Sequence, residues 1–179
     1  VASSALLAMA LAAAPQPQLE AFEAALASRD SATLALEQWC AAQHIAEPAQ
    51  VHAENLGASG EAPPHQLRRR FGLTQDETIS LRHVRLSCGD VALSVAWNWY
   101  VPERLTPEMR DVLRTTDMPF GKVVAPLQFR REPLATTSGR AENCPADTIS
   151  THRARLVLRD GRPLAYLIEC YTAANLAMK

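Results

Sequence analysis

The chain has 179 residues, of which 47% are apolar and 21% charged, and its formal net charge is −1. That length can bury one core without metal or disulfide staples, so one compact domain is the expectation. The near-neutral balance excludes a disordered chain, a polybasic nucleic-acid surface and an acidic tail as organising features.

Residues 1–18, VASSALLAMALAAAPQPQ, join a short apolar run with an Ala-x-Ala-like ALAAA to a Pro/Gln stretch, and the first basic residue is Arg29. The run is too short to span a bilayer, so no stable membrane anchor is expected. Two readings stay open: the end of a secretory signal without its basic start, or an Ala-rich N-terminal helix. The first implies a periplasmic or secreted protein, the second a cytoplasmic one. Residues 19–179 are then the single domain.

QLEAFEAALAS and DSATLALEQWCAAQH repeat apolar residues at helical spacing, and Asp30 or Ser31 suits an N-cap. AQVHAENL alternates weakly like a strand, and GASGEAPP is Gly/Pro/Ser punctuation of a surface loop. HQLRRRFGL predicts a short helix, its arginines a solvated face because no aromatics interleave them. From Glu77 the period becomes two: ETISLRHVRLSC, the turn GD, and VALSVAWNWYV predict a β-hairpin. PERLTPEMRDVLRTTD follows as a helix capped by Thr106, with Pro107 at its first position. KVVAPLQFRRE reads as a strand and PLATTSGRAENCPADT as a loop long enough for a flap. ISTHRARLVLR, a DGR turn and PLAYLIECYT predict a second hairpin. Without βαβ alternation, this order predicts an α+β fold: an antiparallel sheet of about five or six strands with helices on one face.

Two charges break the strand alternation. Arg82 shares its side with Val84, Leu86 and Cys88, and Glu169 shares its side with Ala165, Leu167 and Tyr171. A buried unpaired charge costs several kcal/mol, so each requires a partner. They form an ion pair with each other, or they hold the two ends of one small polar ligand, with Arg82 on its carboxylate. His83, next to Arg82, points to the opposite face of a regular strand, and His152 is a similar bystander. No His or Cys spacing suggests a metal, and none is expected. Cys40, Cys88, Cys144 and Cys170 are disulfides if the chain is exported and small buried hydrophobes otherwise; their pairing is open.

SLRHVRLSCGDVALSVAWNWYVPERL, TTDMPFG and RARLVLRDGRPLAYLIECY, with RDSATLALEQ upstream, resemble in order and spacing the chorismate pyruvate-lyase family, from about Asp30 to the C-terminus. The resemblance implies an α+β fold with a ligand under flaps and no cofactor. It puts the carboxylate-binding arginine at Arg82, the acidic residue at the far end at Glu169, and carboxylate-binding backbone N–H groups at Ala32 and Phe120. At Asn98 the family has an arginine, a departure that weakens the grip on a second carboxylate; Arg130 or Arg131 offers a replacement but reads as solvated. The activity implied is a carbon–oxygen lyase cleaving chorismate, or a related enolpyruvyl ether, to 4-hydroxybenzoate and pyruvate, with Arg82 fixing the ring carboxylate and Glu169 as general acid. The alternative is a non-catalytic binding protein for a small aromatic carboxylate. Either way the expected partner is that small acid, not nucleic acid, and the protein is expected to be a monomer.

Overall fold

The computed structural model describes residues 17–57, 62–141 and 143–177. The candidate signal lies, up to its last two residues, outside them.

The first helix, α1 (Pro17–Ala27), buries Phe22 and Leu26. The second, α2 (Ala32–Ala42), starts where the Ser31 side chain accepts the Leu34 N–H, and it buries Leu36, Trp39 and Cys40. A short edge strand, β1 (Val51–Asn55), and one helical turn, α3 (Leu67–Arg70), precede the first hairpin. That hairpin is β2 (Ser80–Cys88) and β3 (Val91–Tyr100). Gly89 turns it at φ +54°, a region that favours glycine. Thr106 caps α4 (Pro107–Thr115), accepting the Met109 N–H at 3.2 Å. After α5 (Phe120–Val123) come β4 (Arg130–Ser138), β5 (Thr148–Val157) and β6 (Pro163–Thr172).

The strands form one six-stranded antiparallel sheet in the order β1-β2-β3-β6-β5-β4. The fold is therefore α+β, as the pattern predicts. Helices α1 and α2 pack Phe22, Leu26, Leu36 and Trp39 on one face of the sheet, against Val84, Leu86 and Tyr171. Phe120 and Val123 of α5 extend that layer over Leu156 and Leu167. On the other face Leu67 of α3 and Phe71 cover Val95, Trp97 and Tyr166, so the central strands are buried on both sides.

Two stretches differ from the sequence reading. Residues 122–127 lie in α5 and a following turn of 3-10 helix, and the strand begins only at Arg130. Val123 and Val124 are buried through helical geometry here, not through alternation. Residues 133–138, read as a loop, continue β4. Strand β4 lies at the edge of the sheet and is mostly exposed beyond Pro133, so burial imposes no period of two on it. Both disulfides are formed: Cys40–Cys88 joins α2 to β2, and Cys144–Cys170 joins the loop after β4 to β6.

Candidate ligand site

Directly opposed residues of antiparallel strands share a face. Arg82 opposes Asn98, which opposes Leu167; Val84 opposes Ala96, which opposes Glu169. Arg82 and Glu169 thus rise from the same face of the sheet, with β3 between them, and are 6% and 5% exposed. His83 lies on the other face, stacked on Trp97 with ring centroids 4.6 Å apart, as strand alternation requires.

Above this face is a narrow cleft; its space of about 410 Å3 includes open solvent at the mouth, and the cavity volume proper is about 30 Å3. Its floor is Ala96, Asn98, Leu167 and Glu169; its roof is the start of α2 with Ala32 and the start of α5 with Phe120. Four of the five predicted site residues therefore converge on one space. Ala32 and Phe120 occupy first helical turns, whose amides have no intrahelical acceptor. The two roof segments touch at Gly121, where an added Cβ would stand 2.7 Å from Ser31 Oγ.

Arg82, the fifth, is not among the lining residues but lies next to them. Its cross-strand neighbour Asn98 lines the cavity, while its own Nη1 donates to the Met118 carbonyl at 2.9 Å. Its Nε is buried without a hydrogen-bond partner. No carboxylate among the described residues forms an ion pair with it. Burial consequently pushes its pKa down, and the pull of Tyr100 and Asp117 offsets only part of this.

The sequence reading paired Arg82 with Glu169 or with a ligand, and left Arg130 and Arg131 in solvent. Only Arg130 is as expected; it is exposed and bonds Glu132. Arg131, whose side chain is 11% exposed, takes Glu169 in a two-pronged ion pair, Nη1 to Oε1 at 3.2 Å and Nη2 to Oε2. Adjacent strand residues point to opposite faces, which sends Arg131 inward where Arg130 goes out. Tyr171 Oη adds a third donor to Glu169 Oε2 at 3.1 Å. Asp30, at the cavity mouth, accepts the Arg131 backbone N–H at 2.8 Å. Burial opposes the Arg131 charge, but Glu169 and Tyr171 outweigh it and hold the guanidinium's pKa above its ordinary value. Burial and then Glu169 push the Tyr171 phenol well up.

Behind Tyr171, His152 Nε2 lies 2.7 Å from Glu23 Oε2 and its ring meets Tyr171 edge-on. His152 and Ser150 hold the Glu23 carboxyl below its usual range against the opposing effect of burial. This pair braces α1 on β5. Sequence reasoning missed Asp30 and Tyr171 as site residues and set Arg131 aside as solvated; an alternation count through β4 would have turned Arg131 inward, but nothing in the sequence named its partner.

The chain is 36% identical over 173 residues to the uncharacterized protein y4mC of Sinorhizobium fredii, an alignment covering 86% of this chain and 73% of that protein. It belongs to that protein's family. No family model matches the chain. Among solved structures, PhnF from Mycobacterium smegmatis superimposes with a TM-score of 0.57 at 12% identity, over 84% of this chain and 67% of that one. The effector domain of the same PhnF gives 0.50 at 15% identity, over 80% and 89%. A ligand-binding domain assigned to a GntR-family regulator from Bordetella bronchiseptica gives 0.50 at 14% identity, over 69% and 86%. The fold is thus shared with these solved structures. No helix among the described residues is long and apolar enough to cross a membrane.

Proposed function

We propose that this domain binds a small aromatic carboxylate without turning it over. The observation that carries the reading is the Arg82 guanidinium, buried beside a cavity lined in part by Leu86, Phe120 and Phe129 and provided, among the described residues, with a single neutral acceptor, Met118 O. A desolvated cation in that condition is a strong site for an anion, and a carboxylate accepting from Nε and an Nη would satisfy the buried donor. The first-turn amides of Ala32 and Phe120 supply further donors, and Leu86, Phe120 and Phe129 supply apolar surface for a ring. The Bordetella bronchiseptica domain that shares this fold is likewise described as ligand-binding.

Lysis of chorismate, the activity implied by the resemblance, has less support. Its general acid would be Glu169, whose two oxygens already accept from Arg131 and Tyr171, the pattern of a bound carboxylate anion. Asn98 also leaves the second carboxylate of chorismate without its cation. Export is part of the proposal, because two disulfides that use all four cysteines suit an oxidising compartment.

The test is thermal stabilisation by benzoate and 4-hydroxybenzoate at millimolar concentration, with pyruvate release from chorismate measured in parallel. Stabilisation that disappears in Arg82→Met, without pyruvate release, is the expected result. Failure of every aromatic acid to stabilise the protein, or equal stabilisation of Arg82→Met, overturns the reading. Catalytic release of pyruvate replaces it with the lyase.

A further inference from the structure

The far end of the cavity from Arg82 carries more negative than available positive charge. Glu169 and Asp30 both line it, and the one cation among its described lining residues, Arg131, has both terminal nitrogens engaged by Glu169. Asn98 contributes only a neutral amide to the same floor. An ionised carboxylate offers about four lone-pair positions. Glu169 fills three of them with Arg131 Nη1, Arg131 Nη2 and Tyr171 Oη, which leaves one for a donor from the cavity.

Resting on the aromatic-carboxylate reading above, we infer that the Arg131–Glu169 pair makes the site selective for monoanions: it accepts an acid whose far end is a hydroxyl or another neutral donor and rejects one bearing a second carboxylate. Arg131 is the specificity-determining residue, in an unexpected sense. It brings a positive charge to the cavity, but Glu169 balances that charge, so the pair offers a ligand no net positive charge. A hydroxyl at the far end donates to the open position on Glu169. A carboxylate there finds the Glu169 charge already balanced by Arg131, meets the unbalanced Asp30 carboxylate at the mouth, and has no unpaired cation among the described lining residues to offset its loss of water.

The experiment compares 4-hydroxybenzoate with terephthalate, which is of similar length and carries a carboxylate in place of the hydroxyl, by calorimetric titration of the intact protein. The expected result is that 4-hydroxybenzoate binds more tightly by about tenfold or more. Two variants probe the cause. Asn98→Arg places an unengaged cation on the floor and should narrow or reverse the preference. Glu169→Gln releases Arg131 and should favour terephthalate likewise. Equal affinity of the wild-type protein for the two acids, with both dependent on Arg82, overturns the selectivity while leaving the binding function standing. Absence of binding by both acids overturns the binding function itself. The wild-type ratio decides even if neither variant folds.

Discussion

Arg131, on the edge strand β4, reaches across β5 to clasp Glu169 on β6 through both terminal nitrogens, tying the outermost strand to the floor of the cavity. Both partners are desolvated, so the pair matters chiefly through what happens when one side is removed. Arg131→Met leaves a buried carboxylate with only Tyr171 as donor and is expected to cost about 3 kcal/mol. Arg131→Met with Glu169→Gln should recover much of that loss, because no lone charge remains buried. Urea denaturation of the wild type, both single variants and the double variant measures the coupling, and additive losses would contradict the pairing.

The charges that gave the site away in the sequence were those that broke a regular pattern. Arg82 stands in a strongly alternating strand and Glu169 in one that is apolar on both sides, and a full charge is conspicuous in either. Arg131 stands where β4 begins, beside a second arginine and ahead of an exposed edge strand that carries no burial rhythm. Its inward direction is a consequence of strand geometry. Its partner follows only from the strand order β6-β5-β4, a tertiary fact that hairpin-by-hairpin reading does not reach. The capped helices α2 and α4 were legible from Ser31 and Thr106. Helix α5 was not: it has four residues, no side-chain cap, and valines that look like strand.

The closeness of the roof segments gives a second test. Gly121 lies where an added Cβ would be 2.7 Å from Ser31 Oγ and 3.2 Å from Thr33 Oγ1. Gly121→Ala should force α5 away from α2 and destabilise the protein by about 1–2 kcal/mol. Glycine is tolerated at an N-cap for a few tenths of a kcal/mol, so Ser31→Gly removes the nearest obstacle cheaply. In the Ser31→Gly background, Gly121→Ala should therefore cost distinctly less, as read from thermal denaturation. The same penalty in both backgrounds would mean that the roof is not closed by this contact.

The disulfides predict a thiol count and a ranking. Protein purified from an oxidising compartment should show no free thiol in denaturant before reduction. Cys40–Cys88 spans 48 residues and Cys144–Cys170 spans 26. On the chain-entropy account the longer loop confers about 0.5 kcal/mol more stability, out of about 3–4 kcal/mol for each bond. Paired alanine variants compared in urea give the ranking, and labelling of four thiols in the unreduced protein would rule out the crosslinks.

Acid should weaken a second buried pair, remote from the cavity. Arg104 holds Glu77 through Nε to Oε1 at 2.7 Å and Nη2 to Oε2 at 2.9 Å. With the Thr74 N–H, it lowers the Glu77 pKa from 4.5 to about 2. A carboxyl depressed on folding stabilises the native state above its unfolded pKa, and that contribution is lost as pH falls from 4.5 toward about 2. Wild-type stability should fall over that interval more steeply than that of Glu77→Gln, which has no carboxyl to protonate. Parallel slopes in urea titrations at successive pH values would remove Glu77 as the cause.

Arg82→Met separates stability from function most sharply. The native guanidinium has been taken from water and given Met118 O as its acceptor, with Nε left unmet. Removing it frees one neutral carbonyl of its donor, at about 1 kcal/mol. It also relieves the desolvation of a cation that its surroundings compensate only in part, which amounts to about a few kcal/mol. The second effect is larger, and methionine fills much of the same length with a flexible apolar chain. Arg82→Met should thus be more stable than the wild type, by about 1–2 kcal/mol, while losing stabilisation by benzoate. A residue kept for structure would show the opposite sign: a variant that is less stable and has no ligand response to lose. Denaturation midpoints with and without benzoate distinguish the two, because a buried cation awaiting its anion destabilises the empty protein and stabilises the occupied one.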